Sequence, residues 1–486
     1  MSLLAVAGAN SVSGGYDIDN SLKTEGTNTE YLYRTLGTPT DLKKVTISFW
    51  IKRTELGRYW SWGTSQETTG DLSVFRIFFE PDDQISFQDY DTTNNYRVIT
   101  SRYFRDTSAW YHIVGVVDTT NATADDRMKL YINGVQETNF HTRSNFALNH
   151  EVDLQSGKVL NIARYVDNGA TTYAERGAYL ADWIYVDGQA LEPTDFGEFD
   201  TDTGIWKPKN YTGTYGNNGY RLKFDNASNL GEDSSGNSNN FTLSNITSVD
   251  QATDTPTNNF ATWNVIADTR LNNDSDRLYF NEGGTQPIKS FGTGWNTVVS
   301  TQAFSSGKWY WEGEVERQDG TTMWGCFPTK TREVNTYLNS YIGGSESSGF
   351  DSGCAFYDND DAYYHDNTST ACTISGGTVQ TVAGDIIMIA VDMDNNKFYA
   401  GRNGQWFNSS DNTHANATGI TLSDEEHFFA FAAYAPSRTY KTNLGGYTTI
   451  SISSAASDAN GYGNFEYAPP SGYYALCTKN LAEYGG

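Results

Sequence analysis

Apolar and polar positions alternate along short runs of this chain, and clusters of Gly, Asn, Asp and Ser separate one run from the next. That is the pattern of half-buried strands joined by turns. In Val45-Thr46-Ile47-Ser48-Phe49-Trp50-Ile51, a strand of period two puts Ile47, Phe49 and Ile51 on one side. Trp110 to Asp118 forms a second run, and Met128 to Ile132 a third that ends in Asn133-Gly134. Two residues that tolerate positive φ between apolar strands are the strongest short-range hairpin signal. Asp187-Gly188, after Trp183 to Val186, repeats the device. From about 206 to 265 the chain turns polar, with short alternations left at Tyr220 to Phe224 and Phe241 to Leu243; this reads as a packed connector. Strong alternation resumes at Lys308 to Glu316 and Asp385 to Asp392, with turns at Asp394-Asn395-Asn396 and Asn403-Gly404. The pattern predicts an all-β chain: two tandem antiparallel β-sandwich, jelly-roll-like domains with a loop-rich connector. The expected boundaries are 1–205, a connector at 206–265, 266–450, and a tail at 451–486 in which Pro469-Pro470 stops any strand.

At 486 residues the chain exceeds the roughly 250 to 300 residues that one core can serve, so two domains are the minimum. Composition agrees with strands: 46 Gly, 32 Tyr, 25 Phe and 12 Trp stand against 6 His, 5 Met and 4 Cys, and charged residues make up 19%. Polar surface therefore comes mainly from Ser, Thr, Asn and Gly, which favour turns over helices. A net charge of −26 repels nucleic acid and anionic membranes, so neither is an expected partner. Cys326, Cys354, Cys372 and Cys477 show no C-x-x-C spacing, which argues against a zinc ribbon or redox motif. Low cysteine density fits assembly in a reducing cytoplasm. The start, Met1 to Gly8, lacks a basic region and a long apolar run, so no export signal is expected. No segment approaches the ~18 apolar residues that would insert into a membrane.

The order of four segments carries a resemblance: "SLKTEG…EYLYRTL", "VTISFWIKR", "WYHIVGVVD…MKLYINGVQE" and "LNIAR…YLADWIYVDGQALEPTDF". Together, over residues 16 to 200, they resemble the laminin-G/concanavalin-like lectin sandwich found in pentraxin-like and phage proteins. Further on, "SGKWYWEGEVE", "GDIIMIAVDMDNNKFYAGRNGQWF", "HFFAFAAYAP" and "TNLGGY" resemble the SPRY domain, another two-sheet binding module. The ending "FEYAPPSGYYALCTKNLAEYGG" is similar to tails that follow such domains in phage proteins. The lectin resemblance implies a calcium ion in the first module, with no ligands assignable residue by residue.

Candidate chemistry is sparse. Glu312, Glu314 and Glu316 fall on one side of a strand. Neighbours i and i+2 lie about 6.6 Å apart at Cα, compatible with the ~5 to 5.5 Å that separates the carboxyls of a retaining glycosidase. The simpler reading is a solvated outer face opposite Trp309, Trp311 and Val315. Acidic clusters at Asp358, Asp360 and Asp361, at Asp392 to Asn395, at Asn272 to Asp276 and at Asp233 to Asn237 could ligate calcium through oxygens, although turns select the same residues. Calcium is the only cofactor candidate; otherwise none is expected. The histidines show no paired spacing for zinc, His112 reads as structural, and neither a nucleophile elbow nor a phosphate loop occurs. One loop interleaves Tyr357, Tyr363 and Tyr364 with Asp358, Asp360 and Asn367. Aromatic faces that stack on sugars or partner side chains, beside groups that bind hydroxyls, make it a candidate ligand-binding surface.

The expected function is that of a non-enzymatic virion surface protein of a tailed bacteriophage: a tail fibre, tail-associated or capsid appendage. It would assemble in the host cytoplasm, oligomerise, contact other virion proteins and bind host cell-surface glycan or protein. The competing expectations are a glycan depolymerase using Glu312, Glu314 and Glu316, and a bacterial adhesin, which the missing export signal disfavours.

Overall fold

The computed structural model describes residues 15–25, 29–57, 60–64, 73–91, 93–164, 166–167, 170–171, 177–265, 278–290, 292, 294–317, 322–329, 341–343 and 353–485. The chain is nearly all β, and it divides into two compact units between Asn258 and Asn259.

In the unit up to Asn258, two antiparallel sheets enclose one core. The first runs in spatial order through Val135–Gln136, Met128–Ile132, Trp110–Asp118, Lys44–Arg53, Ala178–Asp187, Ser21–Thr24 and Gln251–Ala252. The second runs through Phe140–Ser144, Asn95–Thr100, Ile85–Tyr90, Val74–Phe79, Trp60–Thr64, Val159–Ile162, Tyr31–Thr35 and Thr242–Ser244. Period two decides what lies between them: Val45, Ile47, Phe49 and Ile51 meet Trp62, Phe75, Ile77 and Phe87 of the other sheet in a single buried cluster. The sheets approach so closely at Gly115 that a β-carbon there would lie 2.6 Å from Ile77 Cδ1. Asn133 and Gly134 both have positive φ, and the hairpin they close pairs Val135 with Ile132. Asp187-Gly188 differs: Gly188 has φ +90, yet the next strand, Gly197–Phe199, pairs with Trp206–Pro208 instead of returning along Ala178–Asp187. A turn signal fixes backbone conformation; it does not choose the partner of the next strand.

Residues 206–258, expected as a connector, are built into this unit. Tyr220–Leu222 pairs with Ala178–Asp187, Thr242–Ser244 with Tyr31–Thr35, and Gln251–Ala252 with Ser21–Thr24. Buried polar bonds fasten the segment: Trp62 Nε1 donates to Tyr220 Oη at 2.8 Å, and Lys52 Nζ lies 2.7 Å from Asp254, which also accepts from Trp110 Nε1. Arg221 Nε and Nη2 reach the two oxygens of Asp182 at 2.6 and 3.0 Å. Asp182 sits at φ +41, where the pairing of Ala178–Asp187 with Lys44–Arg53 shifts register. The outer face of the same sheet is also covered: Val114, Val116, Tyr131, Ile184 and Val186 pack with Phe196 and Tyr211.

The unit from Asn259 onward repeats the scheme with a different core. A six-stranded sheet runs Asn296–Phe304, His427–Ala433, Thr322–Pro328, Cys354–Tyr357, Ala362–His365 and Thr368–Ala371. Against it lies a sheet built on Lys308–Glu314, Ile386–Asp392 and Lys397–Arg402. Trp309, Trp311, Ile387 and Ile389 of one meet Trp324, Phe356, Phe429 and Phe431 of the other. Asn396, Asn403 and Gly404 have positive φ, as their turns require. The segment beyond 450 is integral to the unit: Tyr474–Ala475 pairs in parallel with Trp309 and Tyr310, and a helix follows at Thr478–Tyr484. All four cysteines are buried. Among the described residues no helix is long and apolar enough to cross a membrane.

Asp182→Asn tests the Arg221 pair without disturbing a backbone conformation that Asn also tolerates. It leaves a buried guanidinium without its countercharge, a change that typically costs about 3 to 5 kcal/mol. Chemical denaturation of the full chain is expected to show the first unit's transition shifted by that amount, with the second unit's unmoved.

Candidate functional site

Three groups of predicted residues fall in the second unit, apart from the acidic cluster at Asp233 in the first, and the structure treats each differently. Along Lys308–Glu314, Trp309 and Trp311 face the core between the sheets, so Tyr310, Glu312 and Glu314 face the other way. That other face is not solvated as expected. Phe465, Tyr473 and Ala475 of the C-terminal segment cover it, packing with Tyr310, Met388 and Ala390. Glu312 is consequently fully buried. Its Oε1 accepts from Tyr310 Oη at 2.9 Å and the Tyr467 amide at 2.8 Å, and its Oε2 from the Glu466 amide at 3.0 Å and Asn443 Nδ2 at 3.2 Å. Loss of hydration outweighs these four bonds and raises the carboxyl from its ordinary 4.5 to about 7. Glu314 is ion-paired with Lys441 at 2.9 Å, and Glu316, past the end of the strand, with Arg438 at 3.3 Å. The three carboxylates thus have separate, structural partners.

The acidic clusters resolve into turns. Asp358 is buried and accepts from the amide and hydroxyl of Thr322. Asp361 accepts from the amide and hydroxyl of Thr381, and exposed Asp360 accepts from Asn359 Nδ2. Asp392 takes the Asn395 amide and pairs with Lys308. Asp233 gathers the amides of Arg221, Ser235 and Asn239. The fourth cluster, Asn272 to Asp276, lies outside the described residues. Among the described residues no group of three or more His, Cys, Asp or Glu is arranged to hold a metal ion. In the first unit, buried His112 is fixed as a neutral ring: Trp206 Nε1 donates to Nδ1 at 2.9 Å, and Nε2 bonds Ser48 Oγ at 2.8 Å.

The tyrosine loop divides by parity. It is the hairpin Cys354–Tyr357 with Ala362–His365, in which Phe356 and Tyr363 point into the core and Tyr357 and Tyr364 point outward. Tyr363 is therefore withdrawn from the surface, and its hydroxyl donates to the Ala400 carbonyl at 3.3 Å. Tyr357 and Tyr364 stay half-buried, edge to face at 5.5 Å. They meet partners that are remote in sequence. Asn296 pairs with Ala433, Ala433 with Thr322, and the neighbouring Met323 with Tyr357. This register brings Trp295, Tyr434 and Tyr357 to one end of the six-stranded sheet. Trp295 is the hub, with ring centroids 5.7 Å from Tyr357, 5.6 Å from Tyr434 and 6.0 Å from Tyr341. Tyr341 packs in turn on Tyr364 at 5.9 Å. Around the rings, the Asn367 amide is held by the Gly343 carbonyl, and its side-chain oxygen lies 3.4 Å from Tyr341 Oη. Tyr434 is 39% exposed and the other four rings are half-buried. Burial pushes the Tyr357 phenol up to about 12, so it stays protonated and able to donate.

Similarity to known proteins is informative for one part of the chain. Residues 26–171 match the model of the concanavalin A-like lectin/glucanases superfamily. That agrees with the lectin-like resemblance carried by the strand motifs of the first unit. Among solved structures, a native heptameric SAP-like pentraxin from Limulus polyphemus is 18% identical over 36% of this chain and 80% of its own, with a TM-score of 0.27. The SPRY domain of human HERC1 is 14% identical over 34% of this chain and 91% of its own, with a TM-score of 0.25. Neither likeness says what this chain binds. No curated protein matches it.

The raised carboxyl of Glu312 predicts a pH dependence with a definite sign. The proton stabilises the fold, fully below about 4.5, and that contribution fades as pH rises through about 7. Its size is at most on the order of 3 kcal/mol, from about 1.4 kcal/mol per pKa unit. The second unit is therefore expected to melt higher at pH 5 than at pH 8, and Glu312→Gln to flatten that difference. An unchanged difference in the variant would assign the effect to another group.

Proposed function

We propose that this protein is a non-enzymatic binding protein carried on the surface of a tailed bacteriophage particle, as a tail fibre, tail-associated or capsid appendage, which contacts host cell-surface carbohydrate. The observation that carries the binding is the partly exposed aromatic cluster centred on Trp295, with Tyr341, Tyr357, Tyr364 and Tyr434 around it. Aromatic rings left partly wet at a sheet surface offer large apolar contact area together with hydroxyl groups, the combination that recognition surfaces use. The lectin-type match of residues 26–171, which lies in the first unit and not in the one that carries these rings, is consistent with carbohydrate as a ligand of the chain, although a fold by itself does not fix a function. The particle location rests on the phage-like order of the two modules and the tail. On this reading the chain assembles in the host cytoplasm as an oligomer alongside other virion proteins.

The depolymerase reading has the raised carboxyl of Glu312 in its favour, since a general acid needs such a shift. Against it, Glu312 is covered by residues 465–475 and its oxygens serve four donors, while Glu314 and Glu316 are committed to Lys441 and Arg438. These commitments favour structural roles for the three carboxylates.

Mass spectrometry of purified particles is expected to find this chain, and the recombinant protein to bind host cells with no turnover of their glycans. Trp295→Ala is expected to reduce cell binding about tenfold or more, the scale of losing a central aromatic contact. Particles without the chain would end the virion assignment, and turnover abolished by Glu314→Gln would replace binding with catalysis.

A further inference from the structure

The aromatic cluster also carries information about which sugars it can accept. Residues 353–371, which supply Tyr357 and Tyr364, contain four aspartates and no lysine or arginine. Two of those aspartates, Asp358 and Asp361, are tied to Thr322 and Thr381. Asp360 and Asp366 are exposed, Asp366 with His365 3.6 Å away. Lys289, on the strand that precedes Trp295 in sequence, has its ammonium fully buried and held by the Gly294 carbonyl and Asn296 Oδ1. Tyr434 is followed by uncharged Ala435, Pro436 and Ser437 and then by Arg438, which is ion-paired with Glu316 at 3.3 Å. The rings therefore stand beside phenols and two exposed carboxylates, with Arg438 already paired to Glu316, on a chain whose net charge is −26.

We propose that the surface formed by Trp295, Tyr341, Tyr357, Tyr364 and Tyr434 binds neutral pyranose glycans and rejects acidic ones such as uronic-acid polymers. This rests on the binding reading given above and names its ligand class. The apolar C–H face of a pyranose ring stacks on the exposed faces of Trp295 and Tyr434, and ring hydroxyls bond the phenols and Asn367. Such contacts need no charge on the ligand. An anionic sugar would instead bring a carboxylate toward Asp360 and Asp366, a like-charge repulsion, and repulsion of this kind is how binding sites discriminate. A basic peptide would also meet aromatic rings beside carboxylates, but only two exposed carboxylates are available to hold it, whereas four phenols and an amide suit a hydroxyl-rich chain. The two occupants differ in salt response: stacking on a neutral sugar persists as salt rises, whereas pairing between exposed charges is screened within about 8 Å at physiological ionic strength.

Titration calorimetry on the full chain decides the matter. Its probes are a soluble neutral oligosaccharide series of glucose, galactose and N-acetylhexosamine units, an oligogalacturonate and an oligolysine, each at low and high salt. The neutral series is expected to contain a binder whose affinity is unchanged by salt and falls about tenfold or more in Trp295→Ala and in Tyr434→Ala. The Tyr434 variant removes a ring that is already 39% exposed, so its thermal transition is expected to match the parent and its loss of binding to report the surface and not the fold. Oligogalacturonate is expected to bind at least tenfold more weakly at low salt, and to gain affinity when Asp360 and Asp366 are both replaced by lysine. Oligogalacturonate binding as tight as the neutral series, or salt-sensitive oligolysine binding as the strongest interaction, would overturn the inference. If no glycan binds while host cells are still bound through Trp295, the ligand class is wrong and the binding reading stands. If cell binding is also absent, the binding reading itself falls.

Discussion

A sheet whose strands are apolar on both sides cannot stop at two layers, and this requirement organises both units. Covering the second side with the protein's own chain brings polar backbone into contact with an apolar surface, and every buried amide and carbonyl then needs a partner. In the first unit Phe196 and Tyr211 close the outer side of the sheet, while Asp182 with Arg221 and Lys52 with Asp254 secure the segment that continues from there. In the second, Glu312 takes the amides of Glu466 and Tyr467, so that the segment lying over Tyr310, Met388 and Ala390 is pinned by a carboxyl in the middle of the sheet. One packing problem thus meets two solutions, two ion pairs in one unit and a carboxyl that gathers amides in the other.

Strands and turns were legible in the sequence because both are written locally. Ile47, Phe49 and Ile51 face the core as their spacing requires, and Asn133-Gly134 and Asn403-Gly404 adopt the positive φ that their side chains permit. Pairing between distant segments could not be read. Residues 206–258 look like a polar connector because their apolar positions are few, yet Tyr220 and Leu222 are fully buried against strands far upstream. Glu312 looks solvated because nothing nearby in sequence announces a cover that arrives 154 residues later.

The candidate site was half legible for the same reason. Parity along Cys354–Tyr357 and Ala362–His365 separates outward Tyr357 and Tyr364 from inward Phe356 and Tyr363, and could have removed Tyr363 from the predicted surface. Trp295 and Tyr434 carry no such mark, since each lies just beyond the end of an unrelated strand and they meet only through the register of Asn296 with Ala433. The predicted Asp358 lies inward, where the hydroxyl and amide of Thr322 offset the loss of water around its carboxylate. A loop rich in aspartate and tyrosine therefore marks a neighbourhood without naming its members.

The capture of the Glu466 and Tyr467 amides by Glu312 has a consequence for biogenesis. A ribosome delivers the strand that carries Glu312 long before it delivers those amides, and closing so long a loop is entropically slow. Throughout that interval the nascent second unit displays a stripe of Tyr310, Met388 and Ala390 around an acid without its final donors, the kind of apolar surface that chaperones hold. The first unit waits as well, since buried Lys52 receives Asp254 only 202 residues later, but what it lacks meanwhile is a countercharge.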